Sequence, residues 1–115
     1  MRKFENRIGS VSLFFLVLLA YPNQVWSIES NNFGKTLFQN NCSVCHLGGN
    51  NIIIPEKNLK KQTLEENGMN TISAISYQII NGKNGMPAFG GRLTDSEVME
   101  IASYVLEQAE KNFLD

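Results

Sequence analysis

One histidine and two cysteines are all that this chain of 115 residues holds of those two metal-ligating types. A single histidine excludes ligation of any iron by two imidazoles. A structural zinc site takes about four ligands, usually from two separated Cys or His pairs; the second pair is missing, and only carboxylates could complete the shell. Charge of one sign is also scarce. Ten Lys and Arg stand against eleven Asp and Glu, for a net charge of −1, which argues against nucleic acid as a partner. Repeats, low-complexity tracts and linkers are absent, which leaves one small domain. The apolar run from Val11 to Tyr21, broken only by Ser12, is too short for a comfortable membrane span.

The scarce ligands all fall in one stretch, Cys42-Ser43-Val44-Cys45-His46. Two cysteines three positions apart, followed at once by histidine, mark a site of covalent c-type haem attachment. Each thiol can add across one haem vinyl group to form a thioether, and the adjoining imidazole is then placed under the iron as its proximal ligand. Haem c, with its iron, is therefore the expected cofactor, held by Cys42 and Cys45. Three other readings compete. Zinc lacks its second pair. A thioredoxin-like redox pair wants a βαβ context, and no strand-helix-strand alternation surrounds Cys42. A disulfide within the tetrapeptide would leave His46 without a role.

Arg2, Lys3 and Arg7 precede the apolar run, Pro22 follows it, and Val25-Trp26-Ser27 offers compact residues where a signal peptidase reads. This three-part pattern is that of an export signal, with a retained N-terminal anchor as the alternative. Residues 1–27 are read as the cleavable signal peptide and residues 28–115 as the domain. Removing the leader leaves seven Lys and Arg against ten Asp and Glu, a net charge of −3, which favours a docking partner with a basic face. A domain this short buries a thin core and usually needs a staple, which covalent haem would supply. Exported cysteines usually form disulfides; here the thioethers would consume both thiols.

Asn31 or Asn32 can cap a first helix from about Phe33 to Asn40. Gly34 within it either weakens the helix or lets another helix approach closely, and the second reading is favoured. Leu47 to Asn51 has turn chemistry, and Ile52-Ile53-Ile54 is read as a loop that lays aliphatic side chains against the haem. Lys57, Lys60 and Lys61 form a solvated face, or one of them pairs with a haem propionate. Thr63 and Glu66 stand at capping-box spacing, and Gly68 can end the short helix they begin. Asn70 is expected to cap a helix over 71–81, closed by Gly82, with Ile72, Ile75 and Ile79 facing the core. Gly82 to Gly91 is a loop by composition. Thr94 with Glu97 makes a second capping box, opening a helix to about Glu110 whose Val98, Ile101, Ala102, Val105, Leu106 and Ala109 trace one apolar face. The result is all-α, with first and last helices that could cross at Gly34.

An open sixth position on the iron suits gas binding or peroxide chemistry, whereas a strong protein ligand there suits electron transfer. Four methionines are present. Met1 leaves with the leader, Met99 is read as packing, and Met69, between Gly68 and Asn70, is a poorly held candidate. Met86 is the favoured ligand, with a core plug as the alternative. Pro87 restricts it to extended backbone, and the glycines around it let the chain turn sharply towards a flat cofactor. Thioether sulfur raises the potential, as suits an electron carrier.

Cys42 to His46, then Asn50-Asn51-Ile52-Ile53-Ile54-Pro55-Glu56-Lys57, then Gly82-Lys83-Asn84-Gly85-Met86-Pro87-Ala88-Phe89-Gly90-Gly91-Arg92-Leu93, resemble the cytochrome c6 family of algae and cyanobacteria. The resemblance spans nearly all of residues 28–115. It implies a compact class I cytochrome c fold, about four helices wrapped around one covalent haem, with His46 and Met86 as axial ligands. It implies a soluble carrier that moves single electrons from cytochrome f to photosystem I in the thylakoid lumen; the mature chain is expected to be a monomer and not an enzyme. It also places Gln78 near the haem, where it tunes the potential, and Arg92 near the haem edge, where it aids docking. Gly85 stands where alanine is common in the family. The single short leader, without a Ser/Arg-rich transit region, suits a cyanobacterial or plastid-encoded gene, and the abundance of Asn and Ile leans towards a plastid. The alternatives are a periplasmic cytochrome serving a terminal oxidase, and a haem enzyme or gas sensor with a labile Met86.

Overall fold

The structure, a computed structural model, describes residues 25–114. The apolar leader run lies outside the described residues, and the expected cleavage point after Ser27 falls in the first turn of the first helix. Five helices follow in order: α1 Val25–Asn41, α2 Ser43–His46, α3 Lys61–Glu66, α4 Ile72–Asn81 and α5 Asp95–Glu110. Two 3-10 turns, Leu47–Gly49 and Pro55–Lys57, lie between α2 and α3. No β-strand occurs among the described residues, so the all-α expectation holds, with one helix more than the four anticipated. The extra one is α2, a single turn carrying Cys45 and His46.

Helix α1 starts well before Phe33, which puts the expected caps Asn31 and Asn32 inside it. Asn and Gly each lower helix propensity by no more than about 1 kcal/mol, too little to stop a helix flanked on both sides by helix-tolerant residues. Gly34 is buried where α1 meets α5: a β-carbon there would lie 2.5 Å from the Glu100 carbonyl oxygen and 3.0 Å from Tyr104 Cβ. The crossing of first and last helices at this glycine is therefore a backbone-to-backbone approach.

Helix α5 is the spine of the core. Val98, Ile101, Ala102, Val105 and Ala109 are buried as its apolar stripe requires, and Tyr104 and Gln108 are buried beside them. The buried arc is wider than one stripe because α1 packs on one side and α4 on the other, adding Phe38, Ile75 and Ile79. Ile72 remains 40% exposed, contrary to expectation, because it is the first residue of α4 and reaches past the end of the core. Met99 is 55% exposed, so its reading as packing is also overturned.

Thr94 caps α5 reciprocally. Its hydroxyl accepts the Glu97 N–H (3.2 Å), and the Glu97 carboxylate accepts the Thr94 N–H (2.8 Å). The Thr63/Glu66 box does not form. Asn58 Oδ1 accepts the Lys60 N–H, extended Lys60 becomes the cap residue, and α3 starts at Lys61 with Thr63 already inside it. Gly68, with φ of 64°, does end α3: the Met69 N–H reaches back to the Leu64 carbonyl and the Gly68 N–H to that of Glu65, a Schellman closure. The cap of α4 is Thr71, whose hydroxyl accepts the Ala74 N–H at 3.1 Å, rather than Asn70. Replacing Thr94 with Ala is expected to cost about 1 kcal/mol and to lower the thermal midpoint by about 4–8 °C. An unchanged melting curve would mean that the box contributes nothing in solution.

Candidate functional site

Cys42 follows α1 directly. Its N–H donates to the Phe38 carbonyl at 2.8 Å, and its own carbonyl accepts from Cys45 (3.1 Å) and His46 (2.9 Å). The Ser43 hydroxyl donates to the carbonyls of Phe38 and Gln39 at the end of α1. This joins the one-turn α2 to α1 as a rigid bracket. Spacings of three and four place Cys42, Cys45 and His46 on one side of that turn, and all three line a cavity of about 330 Å³. Both thiols are free. Burial, together with the neighbouring Cys45, pushes the Cys42 thiol up to about 11, the mark of a weakly solvated wall.

His46 Nδ1 lies 2.9 Å from the Asn50 carbonyl oxygen. A carbonyl can only accept, so Nδ1 carries a proton, which leaves Nε2 as the ring nitrogen available to a metal. Holding one ring nitrogen to a backbone acceptor is how a metal-ligating imidazole is fixed in tautomer and orientation. The acceptor is presented by the turn that Asn50 N–H closes on Leu47 and that Ile52 N–H closes on Cys45. Only the folded backbone reveals this partner; the nearest signal in the sequence is the turn chemistry of Gly48 to Asn51.

Met86 reaches the same cavity from beyond α4. Gly82, at φ of 68°, stops α4, and a β-carbon there would sit 2.6 Å from the Met86 carbonyl oxygen and 2.8 Å from the Ala88 nitrogen. No other residue allows the chain to fold back so tightly. Lys83 and Met86 then exchange two backbone hydrogen bonds, 3.1 and 2.9 Å, while the Phe89 and Gly90 N–H groups dock the loop on the Ile79 and Ile80 carbonyls. Met86 packs half-buried against the core, and Gln78 Nε2 donates to its sulfur at 3.7 Å.

The other candidates separate cleanly. Met69 also lines the cavity but is tied into the end of α3, and Met99 does not line it. Ile53 and Ile54 line the cavity as expected, whereas Ile52 is 66% exposed and does not. Of the three lysines, only Lys57 is among the lining residues, hydrogen-bonded to Asn67; Lys61 pairs instead with Glu110 at 2.7 Å. Arg92 does not line the cavity, but its guanidinium lies 4.8 Å from the centre of the Phe89 ring, and Phe89 does line it. Among the described residues no cluster of three or more His, Cys, Asp or Glu could hold a metal, so the zinc reading has no donor set. Two free thiols, one imidazole held through Nδ1 and one thioether around an apolar cavity fit a covalent haem.

Comparison with known proteins agrees with this chemistry. Residues 30–105 match the family model described as cytochrome C oxidase, cbb3-type, subunit III. A cytochrome c6 of Bumilleriopsis filiformis is 60% identical over 80 residues, 70% of this chain and 93% of that protein. A cytochrome c6 of Pyropia yezoensis is 48% identical over 113 residues, 98% of this chain and 100% of that protein. Among solved structures, cytochrome c6 from the diatom Phaeodactylum tricornutum superposes with a TM-score of 0.69 at 46% identity, covering 71% of this chain and 97% of that one.

Proposed function

The chain belongs to the cytochrome c6 family, and from that premise we propose that it is a soluble, monomeric shuttle for single electrons from cytochrome f to photosystem I in the thylakoid lumen of a plastid. The family consists of electron carriers, not enzymes, with one covalently bound haem c and its iron. Cys42 and Cys45 fit the attachment motif. We assign His46 and Met86 as the axial ligands. The observation that carries the assignment is that His46 and Met86, brought from opposite sides of α4 in the chain, line one apolar cavity with both thiols.

The bound haem supplies a one-electron ferric–ferrous couple; the chain's own residues set how that couple behaves. Cys42 and Cys45 would hold the group through two thioethers, so that it could not dissociate from the folded chain. The Asn50 carbonyl keeps His46 Nε2 free to donate. The loop from Gly82 to Gly90 docks Met86 against α4, where its thioether would be the protein ligand that keeps a gas or peroxide from the iron. Leu64, Ile75, Ile79 and Phe89 give the cavity a buried apolar wall. The family model named for an oxidase subunit is the observation that favours the alternative, a periplasmic donor to a terminal oxidase. Relatives at 48–60% identity, covered over 93–100% of their length, weigh more heavily. The match to the Pyropia protein over 98% of this chain extends into the leader, which supports export as a shared property. A net charge of −3 for residues 28–115 suits a docking partner with a basic face; Arg92, over the Phe89 ring, is a cation close to the cavity, whose wall also carries Lys57 and Lys83.

Flash kinetics of photosystem I reduction by the purified holoprotein test the role; a rate no greater than that of a non-photosynthetic cytochrome control would refute it. Gln78→Leu tests tuning. An N–H directed at sulfur draws on the lone pair that would stabilise oxidised iron, so its loss is expected to lower the potential. One hydrogen bond of about 1 kcal/mol corresponds to about 40 mV for one electron. A spectroelectrochemical titration showing the same or a higher potential would remove Gln78 from the tuning role.

A further inference from the structure

The dipeptide Asn-Gly occurs three times, at Asn67-Gly68, Asn81-Gly82 and Asn84-Gly85. Each is chemically labile, because glycine has no side chain to hinder attack of its backbone nitrogen on the preceding amide. The fold treats the three differently. Asn67 Nδ2 donates to the Thr63 carbonyl at 2.7 Å, its Oδ1 accepts from Lys57, and the Gly68 N–H donates to the Glu65 carbonyl at 3.1 Å. Asn81 Nδ2 donates to the Tyr77 carbonyl at 2.8 Å, and the Gly82 N–H donates to the Gln78 carbonyl at 2.7 Å. In both pairs the electrophile is pinned and the nucleophilic nitrogen has its hydrogen in use.

Asn84 and Gly85 form the tip of the turn. The two hydrogen bonds that close it join Lys83 to Met86, outside the pair. Among the described residues neither the Asn84 side-chain amide nor the Gly85 N–H has a hydrogen-bond partner. Both residues are exposed, and Asn84 sits at φ of 52°. We propose that Asn84 is a selective deamidation site, set apart from two identical dipeptides by the free tip of the Lys83–Met86 turn.

The step balances without an oxidant. Gly85 N–H loses its proton to solvent, and the nitrogen bonds to Asn84 Cγ. The Cγ–Nδ2 bond breaks, and ammonia leaves with a solvent proton. Water then opens the resulting succinimide at one carbonyl or the other, giving aspartate or isoaspartate; one water is consumed for each ammonia released. Either product places a carboxylate on the cavity wall, since Asn84 lines it. Isoaspartate also lengthens the backbone of the turn that holds Met86. The modification depends on the turn alone, so its failure would leave the proposed electron-transfer role standing.

The test is ageing of the holoprotein in warm, mildly alkaline buffer, followed by trypsin digestion and mass spectrometry. Cleavage after Lys83 separates Asn84 from Asn67 and Asn81, which share one peptide and are resolved by fragmentation. Breaking a pair of hydrogen bonds before attack is expected to slow the other two sites about tenfold or more relative to Asn84. In denaturant the three should convert at similar rates, and Asn84→Gly should leave only the two slow sites in the folded protein. Equal rates in the folded protein, a slower Asn84, or the same ranking in denaturant would each overturn the proposal.

Discussion

Replacing Met86 with alanine is expected to make the reduced holoprotein bind carbon monoxide readily at neutral pH, which the unaltered protein should not do. The chain has no second histidine to take the place of the sulfur. The loop cannot readily offer another donor at the same height, because Gly82 and the Lys83–Met86 pair fix its path. Loss of a thioether ligand should also lower the reduction potential, by on the order of 0.1 V within the roughly 0.8 V that axial ligands span. Met69→Ala is the discriminating control, since Met69 lines the same cavity. Its N–H is tied to the Leu64 carbonyl at 2.7 Å and it packs against the core, so truncating it should reduce stability and leave the sixth position closed. Carbon monoxide binding in the Met69 variant alone would transfer the ligand assignment to Met69. Ready binding by the unaltered protein would favour the gas sensor or enzyme over the carrier.

The parts of the site that the sequence announced are those written in residue identity. Cysteine spacing, the lone histidine, the helix stop at Gly82 and the Thr94/Glu97 cap each depend on side-chain chemistry within five residues, and the fold keeps all four. Missed features depend on backbone path or on neighbours. The Asn50 carbonyl that orients His46 is a peptide group, which no residue type encodes. Thr63 and Glu66 had the right spacing for a cap, but Asn58 had already turned the chain into the helix two residues before Thr63 could act. Tyr104 and Gln108 became core because α5 has helices on both flanks, a fact that the periodicity of one helix cannot contain. Phe113 escaped notice near the chain end, yet Asn112 at φ of 50° turns it back to pack its ring on Gly49 and, at 6.2 Å between ring centres, against Phe38. That contact braces the turn following His46 from the far end of the molecule.

Gly34→Ala is expected to destabilise the holoprotein even though alanine is the better helix former. Propensity alone would favour the substitution by about 1 kcal/mol. Against this, the new β-carbon would meet the Glu100 carbonyl oxygen at 2.5 Å and Tyr104 Cβ at 3.0 Å. Neither obstacle can swing aside: one is α5 backbone, and the other is the root of a buried side chain whose ring packs, tilted by 54°, against Phe38 at 5.3 Å. Relief therefore requires the two helices to separate, and overpacking of this kind costs about 1–3 kcal/mol. The upper part of that range applies to a rigid backbone contact, which leaves a net loss of about 2 kcal/mol and a thermal midpoint lower by about 10 °C. Lys35→Ala, exposed on the same helix, should stay within about 0.5 kcal/mol of the parent. Because Cys42 N–H is bonded to Phe38 at the end of α1, a displaced α1 should also drag the attachment motif, shifting the absorption bands that report axial ligation. A Gly34→Ala protein that melts higher than its parent would show that α1 and α5 do not cross in contact at this residue.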